Sequence, residues 1–370
     1  MNTVLGFVKK NTVMVIAFFA ALFTSLIIFP DKEYLGYFDF RTLTCLFCVL
    51  AIVCALKNIS FFYMLAHKIV KKFKTVRMCV LALVYITFIG SMLIANDMAL
   101  LTFLPLGYFV LDASGMKRHM ALTFILQNIA ANLGGMLTPF GNPQNLYLYS
   151  KFEIPTGEFM SIMAPPFVIS VVIITACCFF IPNDKIEVPA EETHVQPART
   201  VIYLVLFALS IAIVFRGIPY FIGLIIIPTA LMFLDRRALK MVDYPLLLTF
   251  VFFFIFAGNM ARIDIVRDFF SFLLDKSTLL FSIISCQVIS NVPSAILLSQ
   301  FTSNYADLLL GVNIGGVGTL IASLASLITL REYTAHNPGR TLKYIGQFSA
   351  VNFAFLAFLT FSMTFMKFII

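Results

Sequence analysis

Residues 132–145 read NLGGMLTPFGNPQN, and they interrupt a region whose other signals point to a membrane-spanning helix. Three Asn, three Gly and two Pro in this short stretch oppose an unbroken helix. In hydrocarbon each unpaired backbone N–H or C=O costs several kcal/mol, so such a segment survives at that depth only when buried in protein or lining a watery cavity. The stretch therefore predicts a helix broken around something that it holds.

The surrounding chain is membrane-like. Of 370 residues, 61% are hydrophobic and 12% charged, with a mean hydropathy of +0.97, outside the range of soluble globular domains. Apolar runs at 11–30, 42–56, 160–182, 199–215, 218–234 and 344–366 mostly have the length that crosses ~30 Å of hydrocarbon as helix. The weak alternating segments of an outer-membrane barrel are not seen. These features predict an all-α polytopic membrane protein with about ten transmembrane helices. Lys9 and Lys10 before the first run resemble a signal peptide, but that run ends at FPDKEY with no small-residue cleavage site and reads as a retained span. The seven Cys sit mostly inside predicted spans and read as packing residues; Cys45 and Cys48 form a CxxC with no second pair or nearby His to complete a metal site. The net charge of +8 lies in short loops, where membrane orientation accounts for it without a nucleic-acid partner. Its densest cluster, HKIVKKFKTVR at 67–77, marks the cytoplasmic face and meets anionic lipid headgroups.

With a cytoplasmic N-terminus, spans at 11–29 and 42–60 return the chain to that basic cluster. Residues 78–95 and 98–111 then form two apolar arms meeting at Ala95-Asn96-Asp97, with Arg77 before them and Lys117 and Arg118 after. Two full crossings would put Asp97 at the far surface, and a re-entrant hairpin would put it at mid-membrane; the sequence is compatible with both. The second half repeats the pattern. Residues 287–293 interrupt the apolar pair 277–289 and 294–310, and 311–325 reads GVNIGGVGTLIASLA. Setting Asn132 on Asn313 brings Gly134 and Gly135 onto Gly315 and Gly316, Thr138 onto Thr319, Asn142 onto Ser323 and Asn145 onto Ser326. An amphipathic segment precedes each pair, FYMLAHKIVKKFK in the first half and RIDIVRDFFSFLLDK in the second.

Residues 199–215 supply an extra span, so the second half runs inverted. The expected division is a first repeat at 1–182 (hairpin 78–111, broken helix 119–150), a linker with connecting helix at 183–217, and a second repeat at 218–370 (hairpin 277–310, broken helix 311–330). On this topology 17 of the 26 Lys and Arg are cytoplasmic and 8 external, with Lys57 inside a span, as the positive-inside rule requires. Inverted repeats with paired broken helices point to a secondary transporter with its site at the midplane. Ordinary close helix packing is the competing source of glycine similarity.

IANDMALLTFLPL, ANLGGMLTPFGNPQN, VISNVPSAILLSQF and VNIGGVGTLIASLASL resemble the four motifs of the ion transporter superfamily, which groups arsenite permeases, one class of sodium/proton antiporters, citrate permeases and divalent anion/sodium symporters. The resemblance covers essentially the whole chain and is nearest to short bacterial permeases of the anion or arsenite-pump type. It implies a homodimer with a scaffold and a mobile transport domain, two re-entrant hairpins entering from opposite faces, and an elevator cycle. Carried over by motif, Asn96 and Asp97 form the first tip, facing the break at Thr138–Asn145, and Ser290 and Asn291 form the second, facing Thr319–Ser326. Substrate would then touch Asn96, Asn142, Asn145, Ser290, Asn291, Ser323 and Ser326. Cation or proton coupling would fall on Asn96, Asp97, Thr138, Gly141, Asn142, Asn291, Thr319 and Ser323, with sodium the one ion implied and no other cofactor. Amide, hydroxyl and unwound carbonyl oxygens suit a hard cation, while half-helix N-termini and amide N–H groups suit an anion.

The dicarboxylate symporters carry Ser-Asn-Thr at both tips; here the tips read Ala95-Asn96-Asp97 and Ser290-Asn291-Val292. A carboxylate at Asp97 repels a dianion unless a proton or cation neutralises it, and acidic residues within membrane segments are usually functional. Its bland role is to cap the second arm. Asn-Asp at this tip also resembles the arsenite and sodium/proton branches.

Other features read as structural. TFVFFFIF at 249–256 is expected to be lipid-facing bulk, the four His to take separate loop or interface positions, and Pro105, Pro165 and Pro166 to bend or start helices. Gln127 and Asn128 either bond between helices or line the cavity. Arg216, Arg262 and Arg267 fall near the external face, as interface anchors or as a guide for anions. No HExxH, GxSxG or GxxxxGK[ST] motif is present, so an enzyme or an ATP-driven pump is not indicated. The expected activity is transport of a small anion or oxyanion-like solute across the inner membrane, coupled to sodium or protons. The alternative is a sodium/proton antiporter or an arsenite efflux permease without organic substrate.

Overall fold

The computed structural model describes residues 11–185 and 196–369; Lys9, Lys10 and residues 186–195 of the polar linker lie outside the described residues. The protein is an all-α membrane protein, and among the described residues the one β feature is an antiparallel bridge between Thr75 and Lys185. Helix α1 (Thr12–Ile27) is followed by α2 (Phe40–Asn58), whose first turn is capped by Asp39 accepting the Thr42 N–H at 2.9 Å. The short α3 (Phe61–Val70) leads to the arms α4 (Val76–Ile94) and α5 (Asn96–Ala113), and then to α6 (Met120–Gly134) and α7 (Pro143–Lys151). Pro143 stands in the first turn of α7, where its missing N–H would have no intrahelical acceptor anyway. Helix α8 (Thr156–Phe179) completes the first half.

After α9 (Pro197–Val214) come α10 (Tyr220–Leu234), the short α11 (Arg236–Met241) and α12 (Tyr244–Ala261), the last capped by Asp243 accepting the Leu246 N–H at 3.0 Å. Then follow α13 (Asp264–Ile289), bent at Ser277 (φ −166°, ψ 94°), α14 (Asn291–Leu298), α15 (Tyr305–Ile314), α16 (Leu324–His336) and α17 (Thr341–Ile369).

Among the described residues eight helices are long and apolar enough to cross a membrane, including 76–94 and 264–289; α1 and α10, expected as full spans, are 16 and 15 residues long. In the second half the arm expected to run to 310 ends at Leu298, and the broken helix starts at Tyr305 rather than 311. The apolar count hid a stop signal there: the Asn304 side chain accepts the Asp307 N–H at 3.2 Å and opens a new helix.

The packing is reciprocal between the halves. α1 runs along α12 while α10 runs along α2; α5 meets α16 while α14 meets α7; and α6 packs on α17 as α15 does on α8. The first broken helix lies at the centre, with 83% of its apolar window buried against 28% for α8 at the rim. Phe250, Phe253 and Phe254, expected to face lipid, are instead buried, because α12 is covered by α1 on one side and α14 on another. His67 is likewise a core residue rather than a surface one, held between the rings of Tyr63 and Phe109. All seven Cys are free thiols and six are buried. Pro105, Pro165 and Pro166 all sit inside helices.

Candidate functional site

The two halves adopt the same backbone at three pairs of positions. At the tips Ala95 has φ 65° and ψ 152°, and Ser290 has φ 75° and ψ 160°. This is a region nearly reserved for glycine, costing an L-residue about 1–3 kcal/mol. At the breaks, α6 ends on Gly135 (φ −62°, ψ −12°) and α15 on Gly315 (φ −66°, ψ −12°). The chain resumes as helix after the extended Asn142 (φ −137°, ψ 143°) and Ser323 (φ −148°, ψ 145°).

Hydrogen bonds tie each tip to its break. Thr138 Oγ1 donates to the Met92 carbonyl at 2.8 Å, and its counterpart Thr319 Oγ1 donates to the Gln287 carbonyl at 3.1 Å, each three residues before the strained tip. Asn96 accepts the Asp97 N–H on Oδ1 at 2.9 Å and donates from Nδ2 to Asn132 Oδ1 at 3.1 Å. Asn291 accepts the Val292 N–H at 2.9 Å and donates its own backbone N–H to the Ala322 carbonyl at 2.9 Å, which Ser290 Oγ also reaches at 3.2 Å.

Asn145 and Ser326 look into the seam between the halves. Asn145 Nδ2 donates to the carbonyls of Gly135 and Met136, both at 3.2 Å, stapling the unwound turn, while its Oδ1 accepts from Asn313 Nδ2 at 2.6 Å. Ser326 Oγ accepts from Asn128 Nδ2 at 3.5 Å. Asn142 Nδ2 donates to the Asn132 carbonyl at 3.2 Å and to Asn313 Oδ1 at 3.4 Å. Its Oδ1 is buried without a hydrogen-bond partner, as is Gln144 Oε1. Buried acceptors left unpaired are costly, so these oxygens mark where a cation or donor would be held.

Glycine is needed here for close approach. A Cβ on Gly135 would stand 2.5 Å from Asn142 Oδ1 and 2.8 Å from the Gly141 carbonyl, and one on Gly141 would stand 2.7 Å from Thr138 Oγ1. Without side chains at 135 and 141, hydroxyl, amide and carbonyl oxygens crowd one small space, which is the donor set of a hard cation.

Asp97 lies in the first turn of α5, and its Oδ1 is buried without a partner. It lines a cavity of about 60 Å³ between the tip region and α2 with the start of α12. Gln127 bonds between helices, donating to Thr87 Oγ1 at 3.0 Å and the Phe103 carbonyl at 3.2 Å. Asn128 reaches across the seam, with Oδ1 accepting from Thr329 Oγ1 at 3.3 Å.

The three Arg expected near the external face have partners. Arg216 donates to the carbonyls of Tyr149 (2.6 Å) and Glu153 (3.1 Å), Arg262 pairs with Asp31 at 2.7 Å and Glu33 at 3.4 Å, and Arg267 pairs with Asp264 at 2.6 Å. These contacts anchor loops. The sequence reading did not assign Gln144 or Gln287. Gln287 accepts the Thr319 N–H at 2.8 Å and donates to the Gly315 carbonyl at 2.9 Å. Gln144 stands inside the first stretch quoted above and Gln287 opens the interruption at 287–293, and a polar residue in an apolar break was the signal for them.

The sequence profile of a family described as citrate transporter matches residues 4–314. An uncharacterised transporter of Methanocaldococcus jannaschii is 33% identical over 295 residues, 79% of this chain and 81% of that one. The inner membrane protein YbiR of Escherichia coli is 30% identical over 313 residues, 82% of each chain. The Na(+)/H(+) antiporter NhaD of Vibrio parahaemolyticus matches more locally, 29% identical over 114 residues, 30% of this chain and 28% of that one. With multiple apolar helices and a profile match over most of its length, the chain is a membrane secondary transporter, not an enzyme, and belongs to the citrate transporter family.

Proposed function

We propose that the protein carries a small anion across a bacterial inner membrane, coupled to sodium or protons, by an elevator cycle of a homodimer embedded in lipid. The N-terminus is cytoplasmic, α4–α5 and the pair from Ser277 to Leu298 are re-entrant hairpins, and the halves are inverted repeats. The reciprocal packing and the matched backbone at the tips and breaks support that reading. In it the anion rests between the tips against Asn96, Ser290, Asn291 and Ser323, with Asn142, Asn145 and Ser326 closing the back. The cation sits on the oxygens of Thr138, Gly141 and Asn142 with Asn96, and a second on Thr319 and Ser323 with Asn291.

The observation that carries the reading is the unpartnered Asn142 Oδ1 inside an unwound turn held open by two glycines. Citrate and other small anions, with arsenite as an oxyanion-like solute, are the probes, screened by thermal shift with and without sodium, since a ligand of the folded state raises its melting temperature. A sodium-dependent shift followed by uptake of the same anion in reconstituted vesicles is expected. No shift and no uptake under either a sodium or a pH gradient would refute the proposal. A second reading, sodium/proton exchange without an organic substrate, is favoured by the carboxylate at Asp97 and by the local match to the antiporter; sodium-driven proton movement in vesicles without any added anion selects it.

A further inference from the structure

The cavity at Asp97 has a second acidic wall. Asp97 belongs to α5, whereas Asp243 caps α12, a helix packed on α1, and both line the same space of about 60 Å³. A space of that size has room for water. Every other residue on the wall is apolar, among them Leu50, Leu101, Pro143 and Leu324. The two carboxylates differ in access: Asp97 is half-buried, its Oδ1 sealed from solvent and without a hydrogen-bond partner, while Asp243 is exposed. A hard cation needs a shell of several oxygens, which the turn at 135–142 supplies and this apolar space does not. A proton needs only an acid, a base and a short water bridge.

We propose that Asp243 is the port through which a proton reaches and leaves Asp97. On release, the O–H bond of Asp97 breaks as a cavity water takes the proton. That water gives one of its protons to the Asp243 carboxylate, which passes it to bulk water. Each bond broken is matched by one formed. Because the two residues stand on different helix groups, sliding of one group past the other parts them and closes the port, so Asp97 exchanges protons with one side only in the arrangement seen. Cys54 on α2 lies within electrostatic reach of Asp243, as it does of Lys57 on the same helix and Asp235 at the end of α10, and none of these three lines the cavity.

The inference rests on Asp97 as the coupling residue. It is tested on the purified full-length protein in detergent, by following proton uptake with an indicator dye after rapid acidification. The wild type should show an uptake phase that Asp97→Asn lacks. Asp243→Asn should slow that phase by about tenfold or more, and formate, a small acid able to enter the cavity, should restore it. Asn and Ser cap helices as Asp does, so Asp243→Asn and Asp243→Ser both keep the start of α12. No Asp97-dependent phase, an unchanged rate in both Asp243 variants, or a slowed rate that formate leaves slow would overturn the port. Anion uptake in vesicles with an Asp97 phase indifferent to Asp243 refutes the port alone; an intact phase without uptake of any anion or sodium refutes the transport reading alone.

Discussion

At Ala95 and Ser290 the chain holds L-residues where glycine would cost less, and it does so at both tips, each directly before an Asn whose Oδ1 accepts the next backbone N–H. Strain stored twice in the same place is the signature of positions over-determined by their surroundings. Ala95→Gly should therefore raise the melting temperature, relieving about 1 kcal/mol net of glycine's larger unfolded-state entropy; a lower melting temperature would show that the tip is not strained. Asp97 is the residue on which coupling is proposed to turn. Asp97→Asn should insert and fold normally yet lose its dependence on a sodium or pH gradient in reconstituted vesicles, and an unchanged dependence would remove Asp97 from the mechanism. These tip residues were legible in the sequence because polar side chains stand out in apolar surroundings. Their partners were not: Asn96 bonds Asn132, and Asn142 bonds Asn313, across separations that only folding closes.

The unwound turn between α6 and α7 works as one element. Its Thr138 hydroxyl ties it to α4, Asn145 staples its carbonyls, and the glycines let its oxygens converge. Gly135→Ala forces a methyl against Asn142 Oδ1, so sodium-dependent stabilisation should be lost while the helical content measured by circular dichroism is retained. At the C-terminal end of α12, the hydrogen bond from Arg262 holds the Asp31 carboxyl below its ordinary value of 3.8, against the opposing effect of burial. A carboxyl lowered on folding contributes stability above its unfolded pKa and loses it as pH falls through the folded one. The turn at 32–37 should accordingly lose amide protection, measured against the intrinsic exchange rate at each pH, as the medium is acidified below about pH 4, and Arg262→Gln should show the reduced protection already at neutral pH. The end of α14 at Leu298 was missed in the sequence for a related reason. An apolar count cannot see a cap, and Asn304 begins a helix within a run that hydropathy treats as continuous.

Across the whole molecule, two helix groups meet at the Asp97 cavity: α2 and α12 on one side, and the first tip with both broken helices on the other. The proposed elevator cycle requires these groups to slide. In a cysteine-free background, Leu46→Cys and Met98→Cys place thiols on opposite walls of that seam. A bifunctional thiol reagent spanning them should stop transport, and cleaving the reagent should restart it. Transport at an unchanged rate by the cross-linked protein would show that the groups do not slide.

What the sequence determined by itself was the helical, membrane-embedded class, the paired breaks and their Asn and Gly, since hydropathy, helix propensity and the cost of bare backbone in lipid are local properties. Tertiary structure alone decided that Asn145 and Asn313 bond across the seam, that three of the five Phe of α12 are core, that Arg216 and Arg262 are bound to loops, and that Asp243 lines the same cavity as Asp97. Each of these depends on which helix lies beside which, and that is set by packing between distant segments rather than by any short stretch of chain.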